Sequence, residues 1–146
     1  MSQTPWTVRS LKAALDEAPG RGADEITVSI LEGADEILLA TMHWHGDLEI
    51  YISVSDQQVA ASALLWPVDE QEDRHAFNEF LLKAQKLVPL SNFGICVVGG
   101  RDYYELFGEL STTTSIEDIL IELRTLAENA IEVASDLRTS FSSAAA

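Results

Sequence analysis

The sequence holds one cysteine, Cys96, so no disulfide can form within the chain. It is also poor in basic residues. Nine Lys and Arg stand against 24 Asp and Glu, for a formal net charge of −15. The nine are scattered from Arg9 to Arg138 without a cluster. Nucleic acid is bound through clustered Lys and Arg that displace its counterions, so neither nucleic acid nor an anionic membrane is an expected partner. No run of about 18 apolar residues occurs, so no transmembrane helix is expected. Residues Met1 to Asp16 contain no apolar signal core, so no secretory leader is expected either. A cytoplasmic location is the expectation these absences leave.

What is present is an ordinary folding composition. Hydrophobic residues make up 47% of the 146 residues and charged residues 23%. That is enough apolar side chain for one core, and the length suits one domain. The acidic surface favours solubility and speeds encounter with a basic partner.

Periodicity gives three helices and six strands. Val8, Leu11, Ala14, Leu15 and Ala18 recur at helical spacing over 7–18, and Pro19-Gly20 would end that helix. Four strands are then expected. They run from Ile26 to Ile30, Ile37 to Trp44, Leu48 to Val54 and Val59 to Trp66, joined by turns too short for anything but antiparallel neighbours. A second helix is expected from Glu70 to Leu87, with Phe77, Phe80, Leu81, Ala84 and Val88 buried. Phe93 to Val98 and Asp102 to Leu110 flank Gly99-Gly100 as a hairpin. A last helix is expected from Ser115 to Leu137. Its stripe includes Ile116, Ile119, Leu120, Leu123, Ala127 and Ile131. Glu117, Asp118, Glu122, Glu128, Glu132 and Asp136 would form its polar side. The order α-ββββ-α-ββ-α makes an α+β fold, an antiparallel sheet with helices packed on it. A single domain is expected over 1–138, with 139–146, rich in Ser and Ala, as a flexible tail.

Chemistry is sparse. His43 and His45 lie two apart on an expected strand, so both imidazoles would face one side and could begin a metal site, with Asp47 or His75 as a third ligand. The bland alternative is two histidines at a strand end. Cys96, in the run Gly94 to Val98, is expected to be a buried thiol packing as a small hydrophobe. Gly99-Gly100 joins two strands and opens no helix, so it cannot cradle phosphate. No catalytic residue, cofactor site or metal site is assigned, and no enzyme is expected.

The apolar residues off the core face carry more information. Tyr103, Glu105, Phe107 and Glu109 alternate with Tyr104, Leu106 and Leu110. Tyr51 sits among Glu49 and Ser53. The second strand is apolar on both faces, which a half-solvated sheet does not need. Tyr51, Tyr103 and Phe107 are therefore the residues expected to bind a protein partner.

Several strings carry a resemblance. Trp6-Thr7-Val8 with the first helix, Ala63-Leu64-Leu65-Trp66-Pro67, and Phe93-Gly94 leading to Gly99-Gly100-Arg101-Asp102-Tyr103-Tyr104 resemble the YjfI-like family of bacterial proteins across the whole chain. That resemblance implies a family without a catalytic motif, whose relatives are associated with homologues of phage-shock protein A, an envelope-stress protein. The element order also resembles the type III secretion chaperones and YbjN-like proteins, with one more strand in the meander. It implies a small acidic homodimer that holds a segment of a partner against its sheet. The resulting expectation is a chaperone-like adaptor. The alternative is a metal-binding protein or hydrolase built on His43 and His45.

Overall fold

The structure, a computed structural model, describes residues 4–18 and 24–145. The expected Pro19-Gly20 helix stop lies outside the described residues. Strands β1 (Ile26–Leu31), β2 (Ile37–Met42), β3 (Leu48–Val54), β4 (Gln58–Pro67), β5 (Asn92–Val98) and β6 (Arg101–Ser111) form one antiparallel sheet in the order β1-β2-β3-β4-β6-β5. The helices are α1 (Val8–Asp16), α2 (Arg74–Ala84), α3 (Ile116–Glu128) and α4 (Ala134–Ala145). The hairpin β5–β6 joins the meander through β6, which leaves β5 at one edge.

One sheet face is buried. Val28, Leu38, Ala40, Ile50, Ile52, Val59, Ala61, Ala63, Tyr104 and Leu106 line it. Leu11 and Leu15 of α1 and Ile119, Leu123 and Leu126 of α3 pack into the same core. Helix α1 starts cleanly because the Thr7 side chain accepts from the Ser10 N–H while the Ser10 hydroxyl serves the Thr7 backbone. An aromatic group closes the other end. Phe77 of α2 meets Tyr104 edge-on at 5.3 Å and Phe141 of α4 at 5.1 Å. The Arg138 guanidinium lies 4.3 Å from the Trp66 ring centre.

Three expectations need correction. Strand β2 ends at Met42, and His43–His45 form a single 3-10 turn. Residues two apart on such a turn point about 120° apart, so His43 and His45 do not share a face. Trp44 leaves the core side and is exposed. The end expected to fray continues as α4, and Phe141 packs on Phe77 and Phe80. The ordered chain therefore extends past 138.

The last helix differs most. A π-turn, Asn129–Val133, separates α3 from α4. Its extra residue shifts the helical phase, so Ile131 is exposed and Val133 packs against the core. Glu122, expected on the polar side, is buried, and its Oε1 has no hydrogen-bond partner. It fills the notch left by Gly108 on β6, where a Cβ would run into the carboxylate. Asn129 donates to the Pro89 carbonyl at 2.8 Å and to Ser91 Oγ at 3.0 Å, pinning the loop that leads into β5. Glu25, also buried, takes two hydrogen bonds from Arg124 at 2.8 and 2.9 Å, which ties the start of β1 to α3.

Burial raises the Glu122 pKa above the ordinary carboxylate value. The folded chain thus holds this proton more tightly than the unfolded one. The stability it contributes is complete below the unfolded pKa and is lost as pH rises through the raised folded value. Glu122→Gln should therefore unfold at a higher temperature than wild type at about pH 8, and the gap should narrow at about pH 4. An equal gap at both would show that ionisation is not the cause. Phe141→Ala should cost on the order of 2 kcal/mol in denaturant titration, less than a fully buried Phe because the ring is partly exposed. No loss would mean that the chain's end contributes no packing.

Candidate functional site

The opposite sheet face carries no helix among the described residues. Its side chains come from the second phase of every strand. One row runs straight across the sheet as Leu39, Tyr51, Ser62, Phe107 and Asn92, each paired with the next. The adjacent row is Leu64, Glu105 and Gly94. Two grooves lie along these rows. One, of about 220 Å³, is lined by residues including Ile37, Tyr51, Ser62, Glu105 and Phe107. The other, of about 320 Å³, is lined by Tyr51, Ser62, Leu64, Cys96 and Val98. Tyr51 and Ser62 belong to both, so the grooves form one depression. Gly94 allows this shape, because a Cβ there would stand 2.9 Å from the Phe107 ring. A roomier hollow at the sheet's end, about 720 Å³, is lined by the start of α1, the β1–β2 and β3–β4 turns and the adjoining strand ends, with Arg9, Asp35, Glu36 and Asp56 among its residues. It is wide open and mixes charged residues with Val8, Ile37 and Val54, and it carries no aromatic ring.

Carboxylates stand within and around the depression. Ser62 donates to Glu105 Oε2 at 2.6 Å, and the Tyr51 hydroxyl donates to Glu49 Oε2 at 3.2 Å. Burial, then the nearby Glu49 charge, raises the Tyr51 pKa. Burial first and the Glu105 carboxylate next push the Cys96 thiol up to about 11. The cation nearby is Arg101, which stacks 5.8 Å from the Tyr103 ring centre and is held by Asp69 at 2.6 and 2.9 Å. That bond keeps the Asp69 carboxyl below its usual range. The surface therefore offers apolar and aromatic contact inside an acidic setting.

All three residues expected to bind a partner lie on this face. Tyr51 and Phe107 flank Ser62. Tyr103 sits at the far end, opposite Cys96 and Pro67. Sequence reasoning did not assign Leu39, Ser62, Leu64, Glu105 or Val98 to the site, although the alternation in β4 contained the signal for Ser62 and Leu64. Cys96 departs from its expected burial. It is half-exposed on this face of the edge strand.

The histidines are separated. His43 Nε2 lies 2.6 Å from Thr27 Oγ1, and His43 Nδ1 lies 2.7 Å from Asp47 Oδ1. His45 takes no part in this chain of bonds, and its Nδ1 is buried without a hydrogen-bond partner. No three His, Cys, Asp or Glu side chains among the described residues are placed to hold a metal. The Thr27–His43–Asp47 chain has the bond order of a nucleophile relay. His43 and Asp47 are however 36% and 72% exposed, so the dry setting that makes such relays catalytic is missing.

Among solved structures, the chain is similar to the crystal structure of YbjN from E. coli, for which a role in regulating transcription has been put forward. The TM-score is 0.64 at 13% identity, with 92% of this chain and 95% of that one covered. At that identity the likeness shows the fold alone. The chain is also 35% identical to the uncharacterized protein YjfI of E. coli K12 and of E. coli O157:H7 over 129 residues, covering 88% of this chain and 92% of each relative. A family profile described as an uncharacterized protein conserved in bacteria, DUF2170, matches residues 5–141. With a match of that length and a full-length relative at that identity, this chain belongs to the DUF2170 family.

Proposed function

We propose that this chain is a non-enzymatic, chaperone-like adaptor of the cytoplasm that holds a segment of a partner protein on the open face of its sheet. The observation that carries this reading is the continuous depression over Ile37, Tyr51, Ser62, Leu64 and Phe107, half-buried apolar surface with no covering layer among the described residues. A monomeric domain gains nothing by leaving aromatic rings there, whereas a partner segment gains apolar contact area and pockets for its side chains. Glu49, Glu105 and Glu109, set in a chain of net charge −15, favour a segment whose apolar residues are interspersed with Lys or Arg. The same charge disfavours direct contact with nucleic acid. In its finer form the proposal takes a homologue of phage-shock protein A as the partner, and envelope stress as the setting, from the family resemblance. Among the described residues no helix is long and apolar enough to cross a membrane.

The test is quantitative capture from gently crosslinked cells, run in parallel with wild type and with the double variant Tyr51→Ala/Phe107→Ala. One stoichiometric protein should be enriched by wild type and lost with the variant. Affinity for the purified partner should fall by roughly 30-fold, the size of a hot-spot loss. Circular dichroism should be unchanged, because both side chains lie off the core. Equal enrichment by both chains, or none by wild type, would remove the reading.

A further inference from the structure

Strand β5 leaves one side of its backbone open in a pattern that can be worked out residue by residue. Its hairpin turn, Gly99-Gly100, has φ of 59° and 78°, the signature of a two-residue type I′ turn, and Val98 pairs with Arg101 across it. The closing pair of such a turn exchanges both hydrogen bonds. Val98, Cys96 and Gly94 therefore aim their backbone groups at β6, and Val97, Ile95 and Phe93 aim theirs outward. Phe93 bears this out. Its N–H donates to Gln85 Oε1 at 2.6 Å, and its carbonyl accepts from Gln85 Nε2 at 2.9 Å. The Gln85 amide imitates a neighbouring strand at that position. Among the described residues nothing caps Ile95 or Val97 in the same way.

The side chains on this edge are unusually apolar for so acidic a chain. Ile95 is 49% exposed, Val97 68% and the nearby Leu82 of α2 70%. A groove of about 320 Å³ between α2 and β5 is lined by Leu81, Leu82, Phe93, Ile95 and Tyr104, among others. The fourteen residues from Leu87 to Gly100 include no Asp, Glu, Lys, Arg or His. Native sheets normally protect an edge with charge, proline or a bulge, and the Ile95–Val97 stretch has none of these. The strand that would meet a second copy of a chain at −15 thus carries no carboxylate of its own, the nearest being Asp102 and Glu105 on β6 behind it.

We infer that two copies of this chain pair β5 with β5, antiparallel, about a two-fold axis at Cys96, making one continuous sheet. In this register Ile95 lies opposite the partner's Val97, and Val97 opposite the partner's Ile95. The free N–H and C=O groups of both residues are then used, and the Gln85 cap on Phe93 stays in place. An axis at Ile95 would set Phe93 against the partner's Val97 and displace that cap. The apolar Ile95–Val97 pairs extend the α2 groove. On the open face, Val98 comes opposite the partner's Gly94, whose bare Cα lies under the Phe107 ring. The interface is isologous, each contact made twice. Cys96 faces its own copy at a non-hydrogen-bonded position, where Cα atoms sit about 4.5 Å apart, within disulfide reach. Burial, then the Glu105 and Asp102 carboxylates, disfavours the thiolate, so disulfide formation calls for an added oxidant. The backbone bonds and apolar contacts of the pairing need no covalent bond to form the dimer. The pairing does not rest on the adaptor reading, although Cys96 and Val98 also line the depression; the edge variants Val97→Pro and Ile95→Lys and the adaptor variant Tyr51→Ala/Phe107→Ala change different residues, so the two can fail separately.

The experiment is oxidative crosslinking with copper(II)–phenanthroline, alongside analytical ultracentrifugation. Two Cys96 thiols release two protons to the buffer and pass one electron to each of two copper(II) ions, forming one S–S bond, and dissolved oxygen reoxidises the copper(I). A species of twice the chain mass should appear on a non-reducing gel, disappear with dithiothreitol, and be absent from Cys96→Ser. Without oxidant, wild type and Cys96→Ser should both sediment at twice the monomer mass. Val97→Pro removes an outward N–H and leaves the β6 ladder intact, so it should sediment as a monomer with an unchanged circular dichroism spectrum. If that variant misfolds, Ile95→Lys serves instead and should also be monomeric. A monomeric wild type, a dimer that survives the edge variant that folds, or a dimer that fails to crosslink through Cys96 would each overturn the proposal.

Discussion

The structure depends on one-sided burial of an antiparallel sheet. Leu38, Ile50, Ile52 and Leu106 are fully covered, and each belongs to a strand whose alternate residues face outward. Because the side-chain period in a strand is two, committing these residues to the helices commits Leu39, Tyr51, Glu105 and Phe107 to the other side. The open face is a direct consequence of the core's register. A one-residue slip in any strand would exchange the two sets. Polar locks guard against such movement where the helices meet the sheet. Arg124 binds Glu25 at the start of β1, and the Glu122 carboxyl occupies the notch above Gly108 on β6. A buried carboxylate that loses its cation is costly, so the first lock holds α3 and β1 together firmly.

The acidity of the chain and the apolarity of its open surfaces divide the molecule's contacts. Charge of one sign keeps most of the surface apart from other copies and from phosphate. Two regions escape that rule. One is the depression centred on Tyr51 and Ser62, set among Glu49, Glu105 and Glu109, where apolar contact is combined with negative potential. The other is the edge strand β5, where charge is absent altogether. The first combination suits a foreign segment with basic residues. The second suits a surface of the same kind as itself.

The edge strand is positioned by distant polar contacts. Asn129 holds the loop at Pro89 and Ser91, and the π-turn begins at that residue, so the end of the long helix sets where β5 enters the sheet. Gln85, at the end of α2, then covers the first outward backbone position of β5 and leaves the next two uncovered. These contacts link the last helix, the second helix and the edge strand into one unit.

Much of this was legible in the residues alone. Alternation in 48–54 and 103–110 announced which side chains leave the core, and Tyr51, Tyr103 and Phe107 fell on the open face as expected. Strict alternation allows no other outcome once one face is buried. Short turns made the meander, and paired glycines made the hairpin. Local pattern could not place what depends on packing between distant segments. The histidine pair looked like a strand end, but Met42 closes β2 and a 3-10 turn splits the two rings. Glu122 read as a solvated residue on a polar stripe, yet it is buried because Gly108, on a strand eleven residues and more away in the chain, leaves a space of its shape. Ile131 read as core until the π-turn changed the phase of the helix. The sequence by itself determined the elements and their two-sided character, through side-chain period and turn chemistry. Only the tertiary structure decided that β6 and not β5 would join the meander, and so that the least charged stretch of the chain would stand at an open edge, because strand order is set by how the hairpin packs under α2 and α3.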